Sequence, residues 1–229
     1  MAEPVRPSSP DEEILAAEHA EVLSLLDDEQ RIDAVASELR TGFGALGVLG
    51  PAVTIFGSAR TPADDPEYAQ ARTLARRIGE LGLPIITGGG PGAMEAANLG
   101  AQDAGVRSVG LGIDLPHEEA LNEFVDLPLM FHYFFTRKVM FVRYACAFVV
   151  LPGGFGTFDE LFEVLTLRQT GKIRSRPVIL VGTDYWCGLI DWLADPVRTE
   201  GKINDADVER VICTDDLDEV VRLVAAAPR

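Results

Sequence analysis

From Ala52 to the C terminus, short apolar runs that close on glycine or a small polar residue alternate with segments of helical length. The runs are VTIFG, PIITGGG, RSVGLGI, CAFVVLPGG, PVILVG and VICT. Helices are expected at 66–81, 91–104, 135–144, 157–170, 185–194 and 217–226, with a proline-containing connection after RSVGLGI. The runs lack the strict period of two that leaves one strand face in water, so each reads as a strand covered on both faces. Strands joined through helices pair in parallel by right-handed crossovers. The expected fold class is therefore α/β, a doubly wound, Rossmann-like parallel sheet with helices on both faces.

The 229 residues allow one domain with an appendage. Residues 1–10 have the proline and serine content of a flexible tail. Ile14, Leu15, Val22, Leu25, Leu26, Ile32, Val35 and Leu39 then fall at near-helical spacing, which predicts one or two amphipathic helices over 11–40. Gly42, Gly44, Gly47 and Gly50, ahead of Pro51, close this region and divide the chain into a flexible tail and helical extension, 1–50, and a Rossmann-like domain, 51–229.

A net charge of −16, from 20 basic and 36 acidic residues, argues against nucleic acid and anionic lipid as partners. The longest apolar stretch, 145–151, is too short to cross a bilayer, and the first residues are acidic where a signal peptide is basic, so a cytoplasmic protein is expected. Cys146, Cys187 and Cys213 form no paired motif and lack a neighbouring histidine cluster, so neither a metal site nor a disulfide framework is signalled and buried or inert thiols are expected. Against the acidic background, 137–176 carries 7 bases and 3 acids, a patch that could draw a small anion.

In a doubly wound sheet ligands bind where strands end and helices begin, because free amides at helix N-termini face the crevice. Three such junctions are built of small residues: Gly57-Ser58-Ala59-Arg60, Gly88-Gly89-Gly90-Pro91-Gly92 and Pro152-Gly153-Gly154-Phe155-Gly156-Thr157. Glycine lets backbone amides approach an anion, and phosphate is the natural guest. Each also has a plain explanation as turn chemistry, with Pro91 as an ordinary first helical residue. Gly88-x-Gly90-x-x-Ala93 fits the relaxed dinucleotide fingerprint as well, but on the second βα unit.

Thr157 and Glu160 lie on one face of the helix after Gly156 and can both reach the crevice, although Thr-x-x-Glu is equally a capping box with no chemistry implied. A carboxylate beside a phosphate needs a cation. Arg137 and Lys138, following Thr136 as a possible N-cap, supply one at a helix start where the dipole disfavours positive charge unless an anion is near. Ser58 and Arg60 are candidate nucleotide contacts. Met94 is a candidate wall for a base, or plain core.

TGGGPGAMEAANLGA (87–101), TRKVMF (136–141) and LPGGFGTFDELFEVLTLRQTG (151–171) closely resemble the Lonely Guy family, whose signature is P-G-G-x-G-T-x-x-E with an upstream Arg-Lys. The resemblance covers about 53–181; residues 1–50 lie outside it and resemble the longer bacterial members. It implies a cytokinin riboside 5'-monophosphate phosphoribohydrolase, a type often mislabelled lysine decarboxylase. Such an enzyme hydrolyses the N-glycosidic bond of a nucleoside 5'-monophosphate without metal or organic cofactor, as a homodimer or larger homo-oligomer with a shared pocket. Carried onto this chain, the motif carboxylate is Glu160 and the motif arginine Arg137. Gly89, Gly90, Gly154, Gly156 and Thr157 would hold phosphate or ribose, and Glu95 matches an acidic position of the longer members.

Breaking the bond at C1' builds oxocarbenium charge on the ribose, which an ionised carboxylate beneath it can stabilise while orienting water. Arg137 would orient that carboxylate or meet the leaving base. Decarboxylation through a pyridoxal Schiff base fits poorly with only three lysines, Lys138, Lys172 and Lys202. A nucleotide or molybdenum-cofactor carrier is the alternative that keeps the glycine loops without hydrolysis. A nicotinamide-dependent oxidoreductase lacks a second nucleotide-binding half and an evident hydride partner among His19, His117 and His132.

Overall fold

The computed structural model describes residues 9–15, 26–114 and 121–229. The tail 1–8, Val22 and Leu25 of the helical pattern, and His19 and His117 lie outside the described residues.

Two helices come first, α1 (Pro10–Leu15) and α2 (Asp28–Leu46), and α2 is closed at its start by an Asp27–Gln30 capping box. Strand β1 (Ala52–Phe56) then opens a sheet whose other strands are β2 (Ile85–Thr87), β3 (Ser108–Ile113), β4 (Leu127–Phe131), β5 (Ala145–Val150), β6 (Val178–Val181) and β7 (Val211–Thr214). All neighbours are parallel, in the order β4-β3-β2-β1-β5-β6-β7. The chain winds outward from β1 to β4, crosses back, and winds outward again from β5 to β7. The doubly wound α/β fold is thus present, with its topological switch point between β1 and β5.

The connecting helices are α3 (Pro66–Gly79), α4 (Ala93–Asp103), α5 (Phe134–Arg143), α6 (Phe155–Gln169), α7 (Thr183–Trp192), α8 (Asp205–Glu209) and α9 (Leu217–Ala225). Successive strand residues point to opposite faces, so each apolar run feeds two cores at once. Val53, Ile55, Ile85, Val149 and Ile179 pack beneath α3, α4 and α9; Phe56, Ile86, Leu111, Phe148 and Leu180 pack against α2, α5, α6 and α7. This double burial is why the runs show no alternation.

Several details differ from the sequence reading. β4 (LPLMF) was expected to be connection, but it pairs with β3 at the sheet edge, where Pro128 needs no ladder donor and Pro128 and Met130 remain exposed. α8, a single short turn capped by Asn204, was also not foreseen. Thr136 is not an N-cap, because α5 starts at Phe134 behind Tyr133. Pro91 precedes α4, which begins at Ala93 behind Gly92. The three cysteines are free, but only Cys146 is buried; Cys187 is exposed.

Candidate active site

The carboxyl ends of β2, β1 and β5 present the three glycine-rich junctions side by side, and backbone hydrogen bonds tie them together. Ser58 is the central staple: its N–H donates to Pro152 O (3.0 Å) and its carbonyl accepts from Ala93 N (2.9 Å). Its hydroxyl accepts from Arg60 N at 3.0 Å, leaving the Arg60 side chain exposed. Gly92, at φ 68, sits where a Cβ would run into Ser58 O at 2.6 Å, so only glycine fits at both counts.

A buried polar network that the sequence reading missed shapes the second junction. Asn98 on α4, fully buried, accepts from Thr87 Oγ1 (2.7 Å) and donates to Ser108 Oγ (2.8 Å). Asn122 Nδ2 donates to the carbonyls of Gly89 and Gly90 (3.0 and 2.9 Å). The Gly89 N–H is committed to Thr87 Oγ1 (2.9 Å), so Gly89 shapes this loop rather than offering its amide to a guest. An asparagine on the apolar face of AANLGA was the available signal for Asn98. Asn122 left none, since it follows the connection whose course the sequence did not define.

The third junction opens α6. Its N-cap is Gly154, no side chain caps it, and Phe158 N is the first amide to turn back, onto Gly154 O at 3.0 Å. The amides of 155–157 therefore have no acceptor among the described residues, a state that suits an anion. The possible Thr157–Glu160 capping box does not form: Thr157 is buried inside the first turn, its hydroxyl over Gly153. Helices α2, α3, α8 and α9 carry side-chain caps, and the first amides of α7 are met by Asp215. α4 and α6, which face the crevice, have none. Tyr185, unforeseen in the sequence, holds the α6 loop by donating to Gly153 O at 2.5 Å. Gly154 and Gly156 have nothing within 4 Å of where a Cβ would stand.

Arg137 and Glu160 meet at this mouth. The Arg137 Nε donates to Leu111 O at 2.7 Å, the guanidinium stacks 5.0 Å from the Phe141 ring centroid, and Nη1 lies 3.8 Å from Glu160 Oε1. Both side chains are nearly buried, at 11% and 14% exposure. Burial pushes the Glu160 carboxyl up to about 7; Arg137 is the strongest opposing influence, Asp159 and Glu163 add to the rise and Lys138 reduces it. A carboxylate poised near neutrality beside a fixed guanidinium is a common arrangement of a reactive group. Met94 lies over Gly88 and Gly90, beside Arg137, and so walls the same space.

Two further candidates are turned to other partners. Lys138 Nζ is held by Asp159 and Glu163, each at 3.1 Å; burial pulls its ammonium down, but these two carboxylates outweigh it and the net shift is upward. Glu95 accepts from Tyr68 on α3 at 2.7 Å, and burial together with that bond raises the phenol to about 12. A cavity of about 920 Å³ lies elsewhere, between the N-terminal helices and β4, with Glu13, Ala34, Glu38, Met130 and Tyr133 in its walls. Size does not mark the crevice; convergent polar chemistry does. Among the described residues no cluster of three or more His, Cys, Asp or Glu could hold a metal ion, and no helix is long and apolar enough to cross a membrane.

Fold and site define a class: a Rossmann-like α/β protein with uncapped helix starts at its crevice and a nearly buried Arg–Glu pair at the mouth. Comparison with known proteins narrows it. The family model described as "Possible lysine decarboxylase" matches residues 94–224. A cytokinin riboside 5'-monophosphate phosphoribohydrolase of Mycobacterium marinum is 31% identical over 166 residues, covering 70% of this chain and 88% of the relative. The enzyme of that name from Rhodococcoides fascians is 30% identical over 177 residues, with 75% and 88% covered. Among solved structures, a molybdenum cofactor carrier protein from Chlamydomonas reinhardtii superposes with a TM-score of 0.56 at 20% identity, over 76% of this chain and 96% of that one, a likeness of fold alone. The chain belongs to the Lonely Guy family.

Proposed function

We propose that this protein is a phosphoribohydrolase that cleaves the N-glycosidic bond of a nucleoside 5'-monophosphate, releasing the free base and ribose 5-phosphate. The observation that carries the reading is the nearly buried Arg137–Glu160 pair at 3.8 Å, its carboxylate set on the helix whose uncapped start faces the crevice. The names of the relatives support the same chemistry.

The 5'-phosphate would sit on the amides of 155–157, near Gly154 and Gly156, placing the ribose over Glu160 and the base toward Met94. As the C1'–N bond breaks, its electron pair leaves with the base and positive charge grows on the sugar. The ionised Glu160 stabilises that charge, and a water molecule adds its oxygen to C1' while giving a proton to Glu160; the departing base takes its proton from solvent, and Glu160 returns one to solvent to complete the cycle. Arg137, anchored on Leu111 O, limits the upward shift of the carboxylate and keeps it aimed. Ser58 acts through its backbone, and the Arg60 side chain stays exposed at the rim. Prenylated and ordinary bases remain equal substrates in this reading.

The test is chromatographic: AMP, GMP, CMP and N6-isopentenyl-AMP are incubated with the protein, and at least one is expected to yield its free base. Arg137→Ala should lower that rate on the order of 100-fold. Binding of all four with release of no base would replace hydrolysis by carriage. We also place this site at the interface of a homodimer, because Phe134, Phe135, Val139, Phe155 and Phe162 leave α5 and α6 with exposed apolar side chains beside it. Sedimentation equilibrium should give at least twice the chain mass; a monomer at micromolar concentration rejects this.

A further inference from the structure

We propose that Glu38, on the N-terminal helix α2, is a positioning residue for the Arg137–Glu160 pair: its carboxylate closes the start of α5 and fixes the helix that carries the arginine. The inference rests on the reading of Arg137 and Glu160 as the reacting groups. It gives the N-terminal extension, which precedes the 94–224 family match, a part in the chemistry.

α5 has no side-chain cap of its own. Glu38, from another segment of the chain, ties down the residues on either side of that start instead: Oε1 accepts from His132 N and faces His132 Nδ1, both at 2.8 Å, and Oε2 lies 2.6 Å from the Thr136 hydroxyl, which also has Tyr133 O at 2.8 Å. The Glu38 side chain is 11% exposed and Thr136 is fully buried, so the Thr136 contact is shielded from water, while His132, at 51% exposure, closes the outer side. Asp11 of α1 adds a weaker contact, accepting from Phe134 N at 3.3 Å. Farther along α5, Gly42 makes room for Met140, and Arg143 stacks 4.6 Å from the Phe43 ring. α2 therefore straps α5 from end to end, and the charged contacts fall at the end nearest Arg137.

Position and charge both matter there. Arg137 follows Thr136 directly, and its guanidinium, 3.8 Å from Glu160, is already at the limit of an ion pair. A small rotation of α5 on losing these ties would widen that gap. The negative charge of Glu38 at the helix start also offsets the crowding of Arg137 and Lys138 against the dipole.

A purely structural strap and a positioning strap differ in what Glu160 reports. The charged groups facing it are Arg137 and Lys138 from α5 and Asp159 and Glu163 from its own helix. If Arg137 drifts, its opposition to the upward shift weakens, and the acid limb of turnover should move to higher pH. Fewer folded molecules would lower the amplitude and leave the limb in place. In Glu38→Ala we expect kcat about tenfold lower with KM within about twofold. The limb should rise by several tenths of a pH unit. Glu38→Gln, which keeps an acceptor for His132, should recover most of the loss.

The deciding measurement needs no substrate: the Glu160 titration, followed by NMR on full-length protein carrying carboxyl-labelled glutamate, in wild type, Glu38→Ala and Glu38→Gln. Thr136→Val removes the hydroxyl with little change of shape and serves if Glu38→Ala fails to fold. An upward move of the Glu160 midpoint in Glu38→Ala or Thr136→Val supports the proposal. An unmoved midpoint overturns it, as does a kcat equal to wild type. A wild-type protein that releases no base refutes the hydrolytic reading instead, and the titration still decides what Glu38 does to Arg137.

Discussion

Glu160→Gln is expected to abolish base release while making the free protein more resistant to heat above pH 7. The two effects share one cause. Glutamine keeps the shape but cannot ionise, so the transition state loses the charge that meets the oxocarbenium ion; a fall in kcat of about 10³-fold or more is the usual scale for losing such a group. The folded protein, however, holds Glu160 near 7, above its ordinary value of 4.5, mainly through burial. A carboxyl raised in the folded state leaves stability untouched below its unfolded value, lowers it as pH climbs from there to the folded value, and holds it at the lower level beyond. Near pH 4 the variant and wild type should therefore melt together. Above pH 7 the variant should be ahead by up to about 3 kcal/mol, the span of that shift at about 1.4 kcal/mol per unit, which is several degrees for a chain of this size. Calorimetry at pH 4, 6 and 8 with a parallel rate assay reads both. Near-native turnover in the variant would sink the catalytic assignment, and a melting difference independent of pH would mean that Glu160 is not buried as an ion. For the wild type, kcat/KM should fall as pH drops below about 7, since the protonated carboxyl cannot serve.

How far the sequence carried this picture depends on what each residue has to bury. β1, β2, β5 and β6 were legible because both of their faces are covered, so they are apolar throughout. β4 was not, because an edge strand tolerates Pro128 and an exposed Met130, the very features that argue against a strand. Helix starts slipped for a related reason. α4 and α6 begin behind glycines with no capping side chain, so nothing local marks the first turn, and Thr157 offered a capping pattern that the chain does not use. Arg137 and Glu160 could be singled out by their chemistry, but not their separation or the upward shift of Glu160, which follow from tertiary burial. Glu38 was illegible altogether: its partners His132 and Thr136 stand 94 and 98 residues away, and a glutamate on an amphipathic helix looks like any solvated one.

The second large effect is expected at Gly156, where alanine should strengthen the fold and weaken the function. Most of the buried glycines around the crevice are needed by the chain itself: Gly92 adopts a positive φ and meets Ser58, and Gly88 would press a side chain onto Arg137 and Met94. Gly156 has neither reason. It lies in the first turn of α6 without a positive φ, and a Cβ there would stand in open space. Glycine within a helix costs about 0.5–1 kcal/mol relative to alanine, so the free protein gives up stability at this position with no return in its own packing. On the proposed function, a phosphate drawn down onto the amides of 155–157 would supply the return, because a methyl group at residue 156 would hold its oxygens off the donors. Gly156→Ala should therefore raise Tm by about 1–3 °C and lower kcat/KM on the order of 100-fold, with the weakening visible directly as a higher Kd for AMP in the Glu160→Gln background, where no turnover interferes. Unchanged affinity together with the raised Tm would show that the glycine serves only the turn. The anion would then have to be sought at the other open helix start, α4, whose Ala93 amide is already committed to Ser58.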